Sequence, residues 1–225
     1  MRVVVSPVGL GQTGARRTLN GTSGNPDMLS SVETFISELR NLYAEPIDDL
    51  TRFERVRPAL QTLLEDPELK ARAETWPSRT NPDAGYYENL LFYEDPEYGF
   101  VINALIKQPG DETPIHDHGD VLTVYGVLTG GETVKRYRRV ENGADAAGED
   151  DNIELELVGD HQVSPGYIDF VPPGDIHVEH NGPHRTVGII VRNGNVGKNL
   201  QSWYDAETGT RKRRYGPTQV PHTLD

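Results

Sequence analysis

The sequence predicts a mainly β protein, an antiparallel barrel with a helical region in front of it, and three observations support this fold class. After Pro82 the chain breaks into short runs of alternating apolar and polar residues, separated by Gly, Pro and Asp, as is typical of antiparallel strands. From Asp27 to Trp76 the apolar residues recur instead with a helical period. At 225 residues the chain is long enough to bury a sizeable core, and it is most simply one domain with an N-terminal extension.

The helical region spans residues 27–82 and is expected to pack on the outside of the barrel. Ser30 followed by Glu33 forms a possible capping box, which predicts that the first helix begins there. A second helix is expected around residues 53–64, and a third, shorter helix is ended by Pro77.

The barrel is assigned to residues 83–200, where eight strands are predicted. They cover residues 86–93, 99–108, 121–128, 132–140, 153–158, 167–171, 177–181 and 186–192. Eight strands are enough for one jelly roll. Of the remaining segments, residues 1–26 are expected to form a flexible N-terminal arm, residues 141–152 a mobile surface loop, and residues 201–225 a C-terminal tail.

Composition argues against several classes of partner. The formal net charge of −13 disfavours nucleic acid and anionic membranes, because phosphate binding needs clustered Lys and Arg, and the one basic run, residues 211–214, is assigned to the solvated tail. The absence of cysteine excludes disulfides, zinc–thiolate sites and a cysteine nucleophile. No apolar run approaches the ~20 residues that span a bilayer, and no secretory signal pattern is visible, so a cytoplasmic protein is expected.

Three histidines form a candidate metal site. His116 and His118 are two residues apart, a spacing that on a β strand directs both side chains to the same face. His177 follows a turn-forming segment, residues 171–175, which is expected to bring a second strand beside the first. Neutral imidazoles suit Fe(II), Zn, Cu or Ni, and three of them leave coordination positions open.

The two segments that carry these histidines resemble the two signature motifs of the cupin superfamily. The first reads Gly110-x5-His116-x-His118 and continues to Gly130, and the second reads Gly166-x5-Pro172-x-Gly174-x2-His177-x3-Asn181. The resemblance implies a double-stranded β-helix, which is the jelly-roll barrel of that superfamily, with a metal bound inside.

Within the cupins, the order of elements is similar to that of the thiol dioxygenases, the cysteine dioxygenase and 3-mercaptopropionate dioxygenase group. The elements read Tyr86-Tyr87-Glu88-Asn89-Leu90, Pro114-Ile115-His116-Asp117-His118 and Gly174-Asp175-Ile176-His177. The resemblance, which covers roughly residues 30–195, implies that the three histidines hold Fe(II), that a thiolate and O2 bind at the open positions, and that sulfur is oxidised to a sulfinate. Another divalent metal is the alternative cofactor.

The glutamate ligand of many cupins is not matched, since Leu122 and Thr123 stand where it would fall. A site of three neutral histidines keeps the full 2+ charge of the metal and favours anionic ligands. The family's substrate-clamping arginine is replaced by Glu88, which disfavours L-cysteine as substrate because a carboxylate repels a carboxylate. The family's Ser-His-Tyr triad aligns with residues 188–192 and is not matched either.

Three residues are therefore the candidates for catalytic or substrate-binding roles. Arg192 is either a relocated anion clamp or an exposed arginine at a strand end. Glu88 either faces the pocket, where it would suit a cationic or hydroxylated substrate or act as a base, or lies on the surface. Tyr125 either lines the pocket or packs in the barrel.

Three functions remain open on the sequence. The first is an Fe(II)-dependent dioxygenase that acts with O2 on a small molecule, for which a thiol is a candidate. The second is a metal-dependent isomerase or lyase, in which a divalent metal acts as a Lewis acid. The third is a cupin that binds a small ligand without turnover. The chain is expected to be a monomer or a homodimer.

Overall fold

The computed structural model describes residues 28–78, 80–81, 86–140 and 153–224. The predicted N-terminal arm, residues 1–26, and the predicted mobile loop, residues 141–152, lie outside the described residues.

Three helices precede the β strands, as the helical period predicts. They are α1 (Ser30–Tyr43), α2 (Asp49–Glu65) and α3 (Pro67–Ala73). The predicted capping box is not formed, because Leu29 is the N-cap of α1 and makes no side-chain hydrogen bond to the helix. The second helix is capped properly: the Asp48 side chain accepts a hydrogen bond from the backbone N–H of Thr51.

Fourteen strands are found in the described residues. They are β1 (Thr80–Asn81), β2 (Tyr86–Tyr87), β3 (Asn89–Glu94), β4 (Val101–Lys107), β5 (Ile115–His116), β6 (Thr123–Thr129), β7 (Glu132–Arg139), β8 (Leu155–Val163), β9 (Ile168–Val171), β10 (Ile176–Asn181), β11 (Thr186–Arg192), β12 (Leu200–Asp205), β13 (Thr210–Tyr215) and β14 (Gln219–Pro221). All eight predicted strands have a counterpart among them.

The strand order identifies a double-stranded β-helix. One six-stranded sheet runs β13-β12-β5-β10-β7-β8, and the other runs β14-β3-β4-β11-β6-β9. The consecutive strands β4 to β11 are thus divided between two facing sheets, β4-β11-β6-β9 and β5-β10-β7-β8, which is the interleaved order of a jelly roll. The mainly β barrel with an N-terminal helical region, predicted from the sequence, is confirmed.

The helices cover the outer face of the sheet that contains β4, β6 and β11. Apolar residues of these strands alternate, and one set packs with the helices in a single core; among them are Ile102, Val124 and Ile189. At Gly126 the approach is especially close, because an added Cβ would lie 2.7 Å from a methyl carbon of Leu64 on α2. The opposite face of the sheet is directed into the barrel.

The C-terminal residues form strands where the sequence analysis assigned a tail, and this corrects the boundary of the barrel at residue 200. β12 pairs antiparallel with β5, and β14 pairs parallel with β3. The basic run, residues 211–214, lies on β13, whose one partner within the described residues is β12 at the sheet edge. The side chains of residues 212–215 are exposed, and edge strands commonly carry charged residues, so the composition of β13 resembled that of a tail.

No helix in the described part of the chain is long and apolar enough to cross a lipid bilayer.

Candidate metal centre

The three predicted histidines converge inside the barrel. His177 of β10 lies directly opposite His116 of β5 in the antiparallel register. His118 follows β5 in the chain, beyond the end of the strand on which it was predicted, yet its ring centroid lies 5.2 Å from that of His116 and 4.9 Å from that of His177. The ligand nitrogens of the three side chains all lie within 4.8 Å of one another. This spacing allows three imidazoles to reach one ion.

Two of the rings are oriented by the backbone. His116 Nδ1 lies 2.9 Å from the carbonyl oxygen of Pro114, and His177 Nδ1 lies 3.1 Å from that of Asp175. A carbonyl oxygen only accepts hydrogen bonds, so each Nδ1 carries the proton and each Nε2 presents a lone pair. His118 Nδ1 is buried and has no hydrogen-bond partner in the described residues, so this ring keeps both nitrogens available. The donor set therefore fits a metal ion.

Electrostatics keep the three rings neutral at pH 7. Burial lowers the pKa of each, and repulsion from the neighbouring rings lowers it further for His118 and His177. For His177 the pKa falls to about 3. Neutral imidazole is the form that binds a metal.

A cavity of about 60 Å³ adjoins the histidines. Its walls come from both sheets and are formed by Tyr87, Asn89, Leu105, Thr113, Pro114, His116, His118, Thr123, Tyr125, Asp169, Val171, His177, Glu179, Ile190, Arg192, Gln201, Trp203 and Pro217. Because one water needs about 10–15 Å³, the cavity has room for several water-sized groups and suits a small molecule. Gln201, Trp203 and Pro217 come from the segment that was expected to be a tail.

Polar atoms without partners are concentrated at this cavity. Buried side-chain atoms that lack a hydrogen bond within the described residues include Asn89 Nδ2, Thr123 Oγ1, Arg192 Nε and Gln201 Oε1, and all four residues line the cavity. A buried polar atom left unpaired costs about 1–3 kcal/mol. Such a cost is offset when water or a polar ligand supplies the missing partner, so this wall can accommodate a polar molecule.

Arg192 lies on the cavity wall, which excludes one of the two alternatives left by the sequence, an exposed arginine at a strand end. It is only 4% exposed, so it is not a solvated arginine at a strand end. Its Nη1 donates to Asn103 Oδ1 at 3.3 Å, while its Nε has no partner in the described residues. Burial lowers its pKa to about 10, which still leaves the guanidinium charged at pH 7.

Tyr125 also lines the cavity, and a glycine gives it room. An added Cβ on Gly188 of the neighbouring strand β11 would lie 2.0 Å from the Tyr125 ring. Burial, together with the negative charge of Glu132, raises the pKa of the Tyr125 hydroxyl well above its ordinary value. The hydroxyl therefore stays protonated and can donate a hydrogen bond.

Glu88 is half-buried and does not line the cavity. Its neighbours Tyr87 and Asn89 do, because side chains alternate along an extended chain and the one between them points away. This corrects the choice of Glu88 as a catalytic candidate. It also removes the charge repulsion on which the argument against a carboxylate-bearing substrate rested.

The side chains of Leu122 and Thr123, at the positions where the cupin resemblance would place a glutamate ligand, likewise point in opposite directions. Leu122 belongs to the core shared with the helices, and Thr123 lines the cavity. Neither supplies a carboxylate.

Sequence reasoning missed a cluster of charged groups next to the histidines. Glu179 lies two residues after His177 on β10 and lines the cavity. One of its oxygens, Oε2, accepts a hydrogen bond from Lys107 Nζ at 2.9 Å, and the same ammonium also contacts Glu132. The sequence did contain a signal for this cluster, namely lysine and glutamate in otherwise apolar strands. Such residues are rarely buried unless they are paired. The sequence alone did not indicate which partners they would find.

Asp117 anchors the histidine segment to β12. Its carboxylate accepts hydrogen bonds from the backbone N–H of Gly119 and of Ser202, both at 2.9 Å, and from the Tyr204 hydroxyl at 2.8 Å. Asp117 thus points away from the cavity, and it ties the segment that carries His116 and His118 to strand β12.

No protein-family model matches the chain. The RxLR effector protein Avr10 of Phytophthora infestans is 37% identical to this chain over 65 residues, which is 29% of this chain and 48% of that protein. The match thus spans about half the length of this curated relative.

Several solved structures are similar to the chain. The cupin domain of Schizosaccharomyces pombe Cnp3 has 11% identity and a TM-score of 0.36, over 48% of this chain and 60% of that one. A Klebsiella pneumoniae protein with a double-stranded β-helix domain has 20% identity and a TM-score of 0.37, over 55% of this chain and 83% of that one. Oxalate oxidase in complex with glycolate has 18% identity and a TM-score of 0.39, over 58% of this chain and 61% of that one. At these TM-scores the likenesses carry no argument about function, and the fold rests on the strand order described above.

Proposed function

We propose that this chain is a metal-dependent oxygenase in which His116, His118 and His177 hold Fe(II) and a small anionic molecule is oxidised by O2. A thiol that becomes a sulfinate is the leading substrate class. The observation that carries the proposal is the convergence of three neutral histidines on a small cavity lined with unpaired polar atoms.

The charges around the cavity support an anionic substrate. Three neutral ligands leave the 2+ charge of an ion undiminished, and the buried Arg192 guanidinium adds a further positive charge on the wall. The two carboxylates of the wall, Glu179 and Asp169, are paired with Lys107 and Arg136. The unpaired donors Arg192 Nε and Asn89 Nδ2 suit a carboxylate, which accepts several hydrogen bonds at once. A molecule with a carboxylate at one end and a thiolate at the other fits these features.

The ion would supply a redox centre with open coordination positions, at which a thiolate and O2 can be held together. The proposed reaction balances without another reductant: a thiol and one O2 give a sulfinate and a proton, with both oxygen atoms added to sulfur. The chain itself does the positioning. Arg192 and Asn89 orient the carboxylate, and the apolar side chains of Leu105, Val171 and Ile190 narrow the space around the substrate.

Metal analysis and O2 uptake test this proposal directly. Protein purified without added metal is analysed for metals, loaded anaerobically with Fe(II), and assayed in an O2 electrode with cysteine, 3-mercaptopropionate, mercaptosuccinate and cysteamine. We expect iron near one atom per chain and O2 uptake with the carboxylate-bearing thiols, but weak uptake with cysteamine, which has no carboxylate. Zinc or manganese in place of iron, or iron without uptake for any thiol, would instead favour a non-oxygenase metal enzyme or a ligand-binding protein.

The role of Arg192 is tested by Arg192→Gln, with Arg213→Gln on the exposed edge strand β13 as the matched control. Hydrogen bonds to charged groups contribute about 1.5–3 kcal/mol, so we expect KM for carboxylate-bearing thiols to rise roughly 10- to 100-fold. Neither cysteamine kinetics nor the control variant should change by a comparable factor. An equal loss for cysteamine would show that Arg192 does not act through the carboxylate.

A further inference from the structure

A buried ion cluster stands beside the candidate metal ligands. Lys107 on β4 is completely buried, and its ammonium contacts two carboxylates, Glu132 on β7 and Glu179 on β10. Glu132 is also inaccessible to solvent, and the Glu179 side chain is 12% exposed. The Lys107 ammonium also lies 5.5 Å from the ring centroid of Tyr125. Three charged groups are therefore held in the interior with little water.

Stability alone does not explain such a cluster. Taking an ion out of water costs several kcal/mol even after relaxation, and buried ion pairs are often replaced by apolar residues without loss. Burial would by itself lower the pKa of Lys107, but the two carboxylates outweigh this effect and raise it. The ammonium is consequently a fixed positive charge that holds both carboxylates in place.

One of the carboxylates is close to the metal ligands. Glu179 is two residues from His177 on the same strand, so both side chains are directed to the same face, and both line the cavity. Glu179 interacts electrostatically with His116 and with Arg192 as well as with His177. It nevertheless lies outside the group of side chains whose ligand atoms are all within 4.8 Å of one another. Its Oε2 is turned to Lys107 instead.

We infer that Lys107 is a positioning residue that decides the ligand set of the metal: by holding the Glu179 carboxylate aside, it keeps the site at three neutral histidines. Without the ammonium, the Glu179 carboxylate would be free to join the three histidines as a fourth ligand. This would lower the charge of the centre by one and occupy a position needed by an anionic substrate. The inference rests on the proposed metal site, and it explains why a carboxylate stands so close to the histidines without joining them.

The experiment compares Co(II) binding by the wild-type chain, Lys107→Met, Glu179→Gln and the double variant, using visible absorption spectra and competition with a chelator. For Lys107→Met we expect a changed Co(II) spectrum, an affinity for Co(II) raised by about tenfold or more, and weaker binding of azide by a similar factor. In the double variant, the spectrum and affinity should return to those of the wild type, because the released carboxylate is gone. Thermal melts establish that each variant is folded.

Three outcomes overturn the inference. A Lys107→Met protein with the wild-type spectrum and affinity would show that Lys107 does not hold Glu179 aside. A change that persists in the double variant would show that it does not act through Glu179. If Lys107→Met does not fold, Glu179→Gln still decides the matter, since a shift of the Co(II) spectrum in that variant would mean that Glu179 is already a ligand. Failure of the wild-type chain to bind Co(II) would be a different result and would remove the proposed metal centre itself.

Discussion

The two faces of the sheet formed by β4, β6 and β11 have the same backbone and opposite chemistry. On β11, Ile189 and Val191 pack against the helices, whereas Arg192 lines the cavity. On β6, Val124 belongs to the helix-covered core, whereas Tyr125 faces inward. The helix-covered face is apolar and closely packed, while the cavity face carries charges and unpaired polar atoms. Alternation along each strand thus separates the residues that stabilise the fold from those available for chemistry.

Because the two faces differ in this way, we expect substitutions on them to affect stability and metal binding differently. Substitutions on the helix-covered face should reduce the free energy of unfolding and leave metal binding intact. Substitutions at the histidine cluster should abolish metal binding and reduce the free energy of unfolding by less, because each removes at most one hydrogen bond to the backbone, which contributes about 0.5–1.5 kcal/mol.

The largest effect is expected for His177→Ala, which removes the histidine opposite His116. Bound Co(II) or Fe(II) should fall from about one per chain to near zero, because two remaining imidazoles hold an ion far more weakly than three. Metal analysis after desalting measures the loss, and a thermal melt checks the fold. His180→Ala is the matched control, since His180 lies on the same strand but pairs with Glu112. Retention of full metal by His177→Ala would refute the three-histidine assignment.

On the other face, Phe53→Ala in α2 should destabilise the chain strongly. Phe53 is completely buried in the core between the helices and the sheet, and truncation of a buried Phe costs about 3–5 kcal/mol. Urea unfolding measures this cost. Leu50→Ala on the same helix is the control, because Leu50 is 52% exposed and should change stability by less than about 0.5 kcal/mol. Loss of metal from folded Phe53→Ala protein would contradict the separation of the two faces.

Asp95→Asn should reduce the free energy of unfolding by a smaller, pH-dependent amount. Asp95 lies where α1 contacts the barrel through Arg40. Asp95 accepts hydrogen bonds from the backbone N–H groups of Glu97 and Tyr98, both at 2.9 Å, and forms an ion pair with Arg40. Burial tends to raise the pKa of its carboxyl, but these partners outweigh burial and lower it. We therefore expect a loss of about 1–3 kcal/mol at pH 7.

The pH dependence follows from the direction of the shift. A lowered pKa in the folded state contributes stability that is present above the unfolded pKa, about 3.9, and is lost as pH falls through the folded value. The difference between wild type and Asp95→Asn should consequently shrink below about pH 4. Urea unfolding at pH 7 and at successively lower pH measures it. A difference that stays constant through the acid range would argue that the charge of Asp95 does not contribute.

The smallest effect is spectroscopic and concerns the only two tryptophans of the sequence, Trp76 and Trp203. Trp203 lies opposite His116 in the β12–β5 register and lines the cavity, whereas Trp76 belongs to the helix-covered core. Binding of Co(II) or Cu(II) should quench the fluorescence of Trp203 and leave that of Trp76 largely unchanged. Titrations of Trp76→Phe and Trp203→Phe separate the two signals. Quenching that survives in Trp203→Phe would place the ion elsewhere.

The class of the fold and the three histidines of the cluster could be predicted from the sequence. Helical and strand periods are local properties, so the three helices and eight barrel strands could be predicted from them. The spacing of His116 and His118, and the turn before His177, likewise needed no knowledge of distant contacts beyond the pairing of two strands. The topology and the histidine cluster agree with these predictions.

Which other residues reach the cavity depends on contacts between strands that are distant in the sequence. The choice between Glu88 and Asn89 depends on a shift of one residue, which turns every side chain of a strand to the other face. The burial of Arg192 and the placement of Trp203 depend on strands far apart in the chain. The same holds for Lys107 and Glu179, which are 72 residues apart and meet only because facing sheets bring them together. The period of a strand can be read from neighbouring residues in the sequence. The contacts across a closed barrel depend instead on the register between strands that are far apart in the sequence.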